Sequence, residues 1–135
     1  METNTVKCAA PSLDAWLAEA KRDASAADCG MYLFHNGVVR QTARARVRQG
    51  DESAAPVKRM RFGYDAGKVK AAREAALNMP GIGYVRVWLN AGELAAGDSI
   101  MLVLIGGDIR PHVIDALQTL VGELKTNCVT EEEIF

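Results

Sequence analysis

The sequence predicts an α+β protein, a largely antiparallel sheet with packed helices in one domain, on three observations. At 135 residues there is room for one core. The β-prone segments are separated partly by hairpin-length turns and partly by helical patterns, the mixture that places helices on an antiparallel sheet. The closing helix repeats its apolar residues at three- and four-residue steps: Val113, Ile114, Leu117, Leu120, Val121 and Leu124.

Residues 1–10 read as a flexible N-terminal arm, and 11–135 as the domain. Pro11-Ser12 followed by Leu13, Trp16, Leu17 and Ala20 predicts a capped first helix. After small and polar residues, Met31-Tyr32-Leu33-Phe34 opens a strand to about Val39. Residues 43–48 alternate alanine or valine with Arg44, Arg46 and Arg48, a strand with one wet face. Beyond the turn at 50–56, Met60, Phe62 and Tyr64 share one strand face. Asp65 caps a helix to about Asn78, which Pro80-Gly81 ends. Tyr84 to Leu89 is β-prone, Asn90 to Asp98 reads as a turn, and Ser99 to Ile105 is apolar enough to be the sheet centre. Gly106-Gly107-Asp108 breaks the chain before the last helix.

Charge and cysteine content narrow the function classes. The net charge is −1, so the global balance offers no case for nucleic-acid or membrane-surface binding. Cys8, Cys29 and Cys128 are odd in number and far apart, which fits a reducing cytoplasm better than a disulfide framework. The N-terminus lacks the pattern of a secretory signal, and the run Ile100 to Ile105 is far short of a membrane span. A soluble cytoplasmic protein is expected.

The charge is nonetheless polarised. Residues 40–73 carry ten Lys/Arg against three acids, a net +7, whereas 100–135 sum to −4. A basic face suits a phosphorylated metabolite, an acidic protein tail or a nucleic-acid backbone, and equally a solvated edge strand protected by charge. Gly106 and Gly107 stand between a buried strand and a helix N-terminus, where free N–H groups favour an anion with Arg110 beside it; the plainer alternative is a simple chain turn. Lys125, near the far end of that helix, either complements the dipole or acts chemically. His35 and His112 have no ligand-spaced partner, so no metal is expected, and Cys128 reads as packing. Glu131-Glu132-Glu133 reads as a solvated acidic tail.

The order of these pieces resembles the molybdopterin synthase catalytic (large) subunit family. The pieces are Gly30 to Arg40, the strand ending at Tyr64 before a helix, the turn Gly92-Glu93-Leu94-Ala95-Ala96-Gly97-Asp98, and Arg110 fifteen residues before Lys125. The resemblance implies an α/β-hammerhead-like fold, a homodimer, and a small ubiquitin-like sulfur carrier with a Gly-Gly end on each subunit, hence a heterotetramer. It implies sulfur transfer from the carrier thiocarboxylate to cyclic pyranopterin monophosphate, a pterin phosphate, with no further cofactor. By position, Arg40 and Arg110 would bind substrate or carrier tail and Lys125 would be catalytic; Gly106 and Gly107 join the binding set from the glycine turn beside Arg110. Three places depart from the family pattern: Ile109 replaces a histidine, Phe62-Gly63-Tyr64 stands for a Glu-x-Tyr, and Glu132 stands where a second lysine is expected. A non-catalytic paralogue that binds the carrier tail or another anion is therefore the alternative.

Overall fold

The computed structural model describes residues 3–4, 7–41 and 59–135. The arginine strand expected at 43–48 and the turn at 50–56 lie outside the described residues. Among the described residues, seven strands and three α-helices follow in chain order: β1 (Thr3–Asn4), α1 (Leu13–Lys21), a 3-10 turn (Ala24–Asp28), β2 (Met31–Val38), β3 (Arg59–Asp65), α2 (Ala66–Leu77), β4 (Ile82–Leu89), β5 (Gly92–Ala95), β6 (Ser99–Gly107), α3 (Arg110–Glu123), a wide π-type turn (Leu124–Cys128) and β7 (Val129–Ile134). Every pairing among them is antiparallel. The α+β expectation holds, with the strands divided into two sheets rather than one: β2-β6-β4, and β3 flanked by β7 on one side and by β1 and β5 on the other.

The central strand β6 explains the layering. Its residues alternate between two apolar layers, as a strand buried on both faces must. Met101, Val103 and Ile105 enter the larger core with Phe62, Leu94, Val113, Leu120 and Leu124. Leu102 and Leu104 face the other way, onto Trp16 and Ala20 of α1. Each such side chain, removed from water, contributes about 1.5–3 kcal/mol. Caps set the helix starts: the Ser12 hydroxyl accepts from Ala15 N at 3.2 Å, and the Asp65 carboxylate accepts from Gly67 N and Lys68 N at 3.0 and 3.2 Å.

Three expectations change. The N-terminal arm is tied down: Thr3 and Asn4 pair with Asp65 and Tyr64, Lys7 bonds Asp98 at 2.8 Å, and Cys8 N donates to the buried Asn90 side chain at 2.8 Å. The Asn90–Asp98 turn contains β5. The acidic tail is β7, paired along β3 from Tyr64↔Val129 to Arg59↔Ile134.

Gly106 and Gly107 do not form a turn either. Both are strand residues of β6, paired with Tyr32 and Met31 of β2. A Cβ on Gly106 would meet the Tyr32 ring at 2.6 Å. One on Gly107 would lie 2.7 Å from both the Gly81 carbonyl oxygen and Val113 Cγ2. Here glycine is required so that a ring, a loop and a helix can approach the strand. Gly81, at φ 77°, supplies the turn that brings its carbonyl there.

Candidate functional site

At the outer end of β2, Val39 is buried and pinned by two backbone bonds, its N–H to the Asp98 carbonyl at 2.9 Å and its carbonyl to Gly97 N at 2.8 Å. That clamp projects its neighbour Arg40 into a cleft of about 200 Å³. Lys125 reaches the same cleft from the turn after α3. The widened turn buries Leu124 and Cys128, four residues apart, and leaves Lys125 and Thr126 outside the core between them. The floor and rim are Val38, Met60 and Ile100, with Glu131 and Glu133 coming from β7.

Strand alternation explains which of the three glutamates belong here. Glu131 and Glu133 share the cleft face. Glu132 points to the other face, where it accepts from Arg61 at 2.9 Å while Arg61 also donates to Glu93 at 3.1 Å. The hydrogen bonds to Glu93 and Glu132 hold the guanidinium charged more firmly than usual. Glu132 is thus a cross-strand partner of Arg61, not the replacement for a lysine in the cleft. Among the described residues, the acids that line the cleft with Lys125 are Glu131 and Glu133.

Arg110 is elsewhere. It begins α3, whose 14 residues span about 20 Å at 1.5 Å per residue, and Lys125 lies beyond the far end. The expected cleft of three cations therefore contains two, Arg40 and Lys125, within one chain. At the Arg110 end, Asp108 Oδ1 accepts from Ile109 N at 2.6 Å and bonds His112 Nδ1 at 2.7 Å, and those bonds hold the Asp108 carboxyl below its ordinary value. Ile109 is the cap residue and offers no side-chain bond to the helix. Cys128 is buried, and burial pushes its thiol up, which suits packing and not nucleophilic attack. Among the described residues no group of three His, Cys, Asp or Glu side chains could hold a metal ion, and no helix is long and apolar enough to cross a membrane.

Two antiparallel sheets packed with three helices, and a cleft lined by an arginine and a lysine, define an α+β protein. Residues 11–127 match the pattern of the MoaE protein family, and the chain belongs to it. No curated protein matches. Among solved structures, the chain is similar to molybdopterin synthase from Staphylococcus aureus, with a TM-score of 0.70 at 14% identity over 94% of this chain and 88% of that one. It is similar to molybdopterin cofactor biosynthesis protein E from Burkholderia multivorans (TM-score 0.71, 17% identity, 98% and 82% covered). A third similar chain comes from a complex of subunits 1 and 2 of molybdopterin-converting factor from Helicobacter pylori (TM-score 0.66, 15% identity, 96% and 82% covered). At such identities the likeness is one of fold.

Proposed function

We propose that the protein acts in molybdenum cofactor biosynthesis as a molybdopterin synthase large subunit, taking sulfur from the thiocarboxylate of a small ubiquitin-like carrier and passing it to cyclic pyranopterin monophosphate. The observation that carries this is the meeting of Arg40 and Lys125, eighty-five positions apart in sequence, in one cleft of a chain belonging to the MoaE family. Both ligands are anions. A guanidinium binds a phosphate or thiocarboxylate through two parallel N–H donors, and an ammonium adds a mobile charge that can follow the sulfur as its bond to the carrier breaks and its bond to the pterin forms. The carrier fits as a small second subunit, and the cytoplasm is the compartment in which a thiocarboxylate and three free thiols persist.

Arg110 joins such chemistry only across a dimer. The exposed Ile109 and Ile114 beside it are 52% and 39% accessible, apolar surface that a second copy would cover.

One observation favours the non-catalytic alternative: Glu131 and Glu133 bring two carboxylates to the place where the anion would sit. Incubation with cyclic pyranopterin monophosphate and thiocarboxylated carrier separates the readings. Dithiolene product supports the synthase; retention of the carrier without turnover supports the binding module.

A further inference from the structure

The segment Gly92 to Asp98, which the family resemblance singles out, has no part in the sulfur-transfer reading. After β5 the chain reverses: Asp98 N donates to the Ala95 carbonyl at 3.0 Å, and the Asp98 carboxylate accepts from Ala95 N at 2.9 Å. Gly97, at φ 93°, permits the reversal, since a side chain disfavours that conformation. The two turn residues then hold the end of β2: the Asp98 carbonyl accepts from Val39 N, and Gly97 N donates to the Val39 carbonyl. On its outer side Asp98 is fastened by Lys7 Nζ at 2.8 Å. Lys7 first, and the Ala95 N–H second, hold its carboxyl below the ordinary value and so keep it ionised.

This hold reaches the cleft. Val38 and Arg40 flank the clamped Val39, Ile100 follows Asp98 by two positions, and all three line the cleft while Asp98 does not. The ladder between β2 and β6 is irregular just there, stepping from Gly37↔Met101 to Val38↔Ser99, with Ile100 as the extra residue of a bulge. Strand pairing thus stops at Val38. The two backbone bonds from the turn to Val39 are what carry strand order up to Arg40.

We propose that Asp98 is a positioning residue for Arg40: its carboxylate closes the turn at Ala95, the turn clamps Val39, and the clamp sets where the guanidinium stands in the cleft. For its ligand this rests on the anion-binding reading of the cleft. The sign of the effect separates position from charge. A carboxylate near cations opposes an anion, so its removal would tighten binding if charge alone counted. Acting through position, its removal weakens binding, because the guanidinium no longer meets the ligand with two parallel N–H donors.

The test compares the full chain with Asp98→Ala, Gly97→Ala, Arg40→Ala and the Asp98→Ala, Arg40→Ala double variant, by amide hydrogen exchange and by sulfate titration. Gly97→Ala perturbs the turn through its backbone alone, since the new Cβ meets nothing within 4 Å. Without ligand, both turn variants should speed exchange of the Val39 amide while the Val103 amide at the sheet centre stays protected; unchanged Val39 exchange would overturn the proposal. Sulfate affinity should fall about threefold or more in Asp98→Ala. In the Arg40→Ala background the same substitution should cost nothing further. An undiminished loss there would mean general loosening of the fold and would overturn it, as would tighter or unchanged sulfate binding in Asp98→Ala when Arg40→Ala weakens it. If Arg40→Ala leaves sulfate affinity unchanged, the anion-binding reading fails, and Val39 exchange still decides whether the turn positions Arg40.

Discussion

The two ends of α3 are built on opposite principles. At its start, Gly106, Gly107, Gly81 and Val113 pack so closely that a single added carbon would collide with backbone and helix. At its end, side chains from β2, β3, β6, β7 and the π-type turn stand around an open space and bring together Arg40, Lys125, Glu131 and Glu133. Glycines beside a helix N-terminus are a familiar mark of an anion site, yet here they serve packing, and the convergent cations lie at the other end. A glycine pair identifies a phosphate cradle only if its N–H groups are free, and these belong to a strand paired on both sides.

The largest effect should fall on the cleft. Lys125→Ala is expected to lower sulfur transfer by about a hundredfold or more, some 2.7 kcal/mol of transition-state stabilisation. Its fold should be unchanged, since the side chain is exposed. Arg110→Ala sharpens the comparison: if that end serves the cleft of a second copy, a mixture of the Lys125→Ala and Arg110→Ala proteins that exchange subunits should regain activity that neither has alone. Full activity of Arg110→Ala by itself would confine that end to structure.

Next comes Gly107→Ala at the packed end. Its new Cβ would stand 2.7 Å from the Gly81 carbonyl oxygen, a backbone atom that cannot rotate away. A loss of about 1–3 kcal/mol or more follows, read as a lower midpoint in thermal or urea unfolding. An unchanged midpoint would break the packing account and reopen the glycines as a binding element.

A smaller effect concerns the acids of the cleft. Replacing Glu131 and Glu133 together by glutamine removes two negative charges from the rim while keeping size, and should tighten sulfate or thiocarboxylate binding by roughly tenfold, about 1.4 kcal/mol. Weaker binding in that variant would mean that the two carboxylates hold Arg40 and Lys125 in position rather than oppose the ligand.

Much of the architecture was legible because it is local. The Ser12 and Asp65 caps, the 3.6-residue period of α3 and the apolar run of β6 each leave a mark within a dozen residues. β5 and β7 leave none. Val129-Thr130-Glu131-Glu132-Glu133-Ile134 has no apolar alternation and three glutamates at its centre, and it becomes a strand because β3 offers an unpaired edge. The pairing of Arg40 with Lys125 came from the family resemblance, and no spacing in the chain announces it. The separation of Arg110 was within reach, since fifteen residues of helix are about 22 Å long. That His35 Nε2 is buried without a hydrogen-bond partner among the described residues was not, because satisfaction of a polar atom depends on neighbours far away in sequence.

The smallest effect expected is the one the family resemblance made the most important. Reading Glu132 as the substitute for a catalytic lysine implies that Glu132→Lys would restore turnover. Strand β7 forbids it: an odd step along the strand puts residue 132 on the face away from Glu131 and Glu133, against Arg61. Both partners are well exposed, 54% and 65% at the side chain, so the pair is screened by water and adds little to stability. Glu132→Lys should therefore leave sulfur transfer within about twofold of the unaltered protein, a barrier change near ~0.4 kcal/mol. It should lower the melting temperature slightly by setting two cations opposite each other across β3 and β7. A large gain in turnover would show that β7 shifts by one residue when ligand binds, exchanging the faces of its side chains, because in a strand that is how the introduced ammonium would enter the cleft.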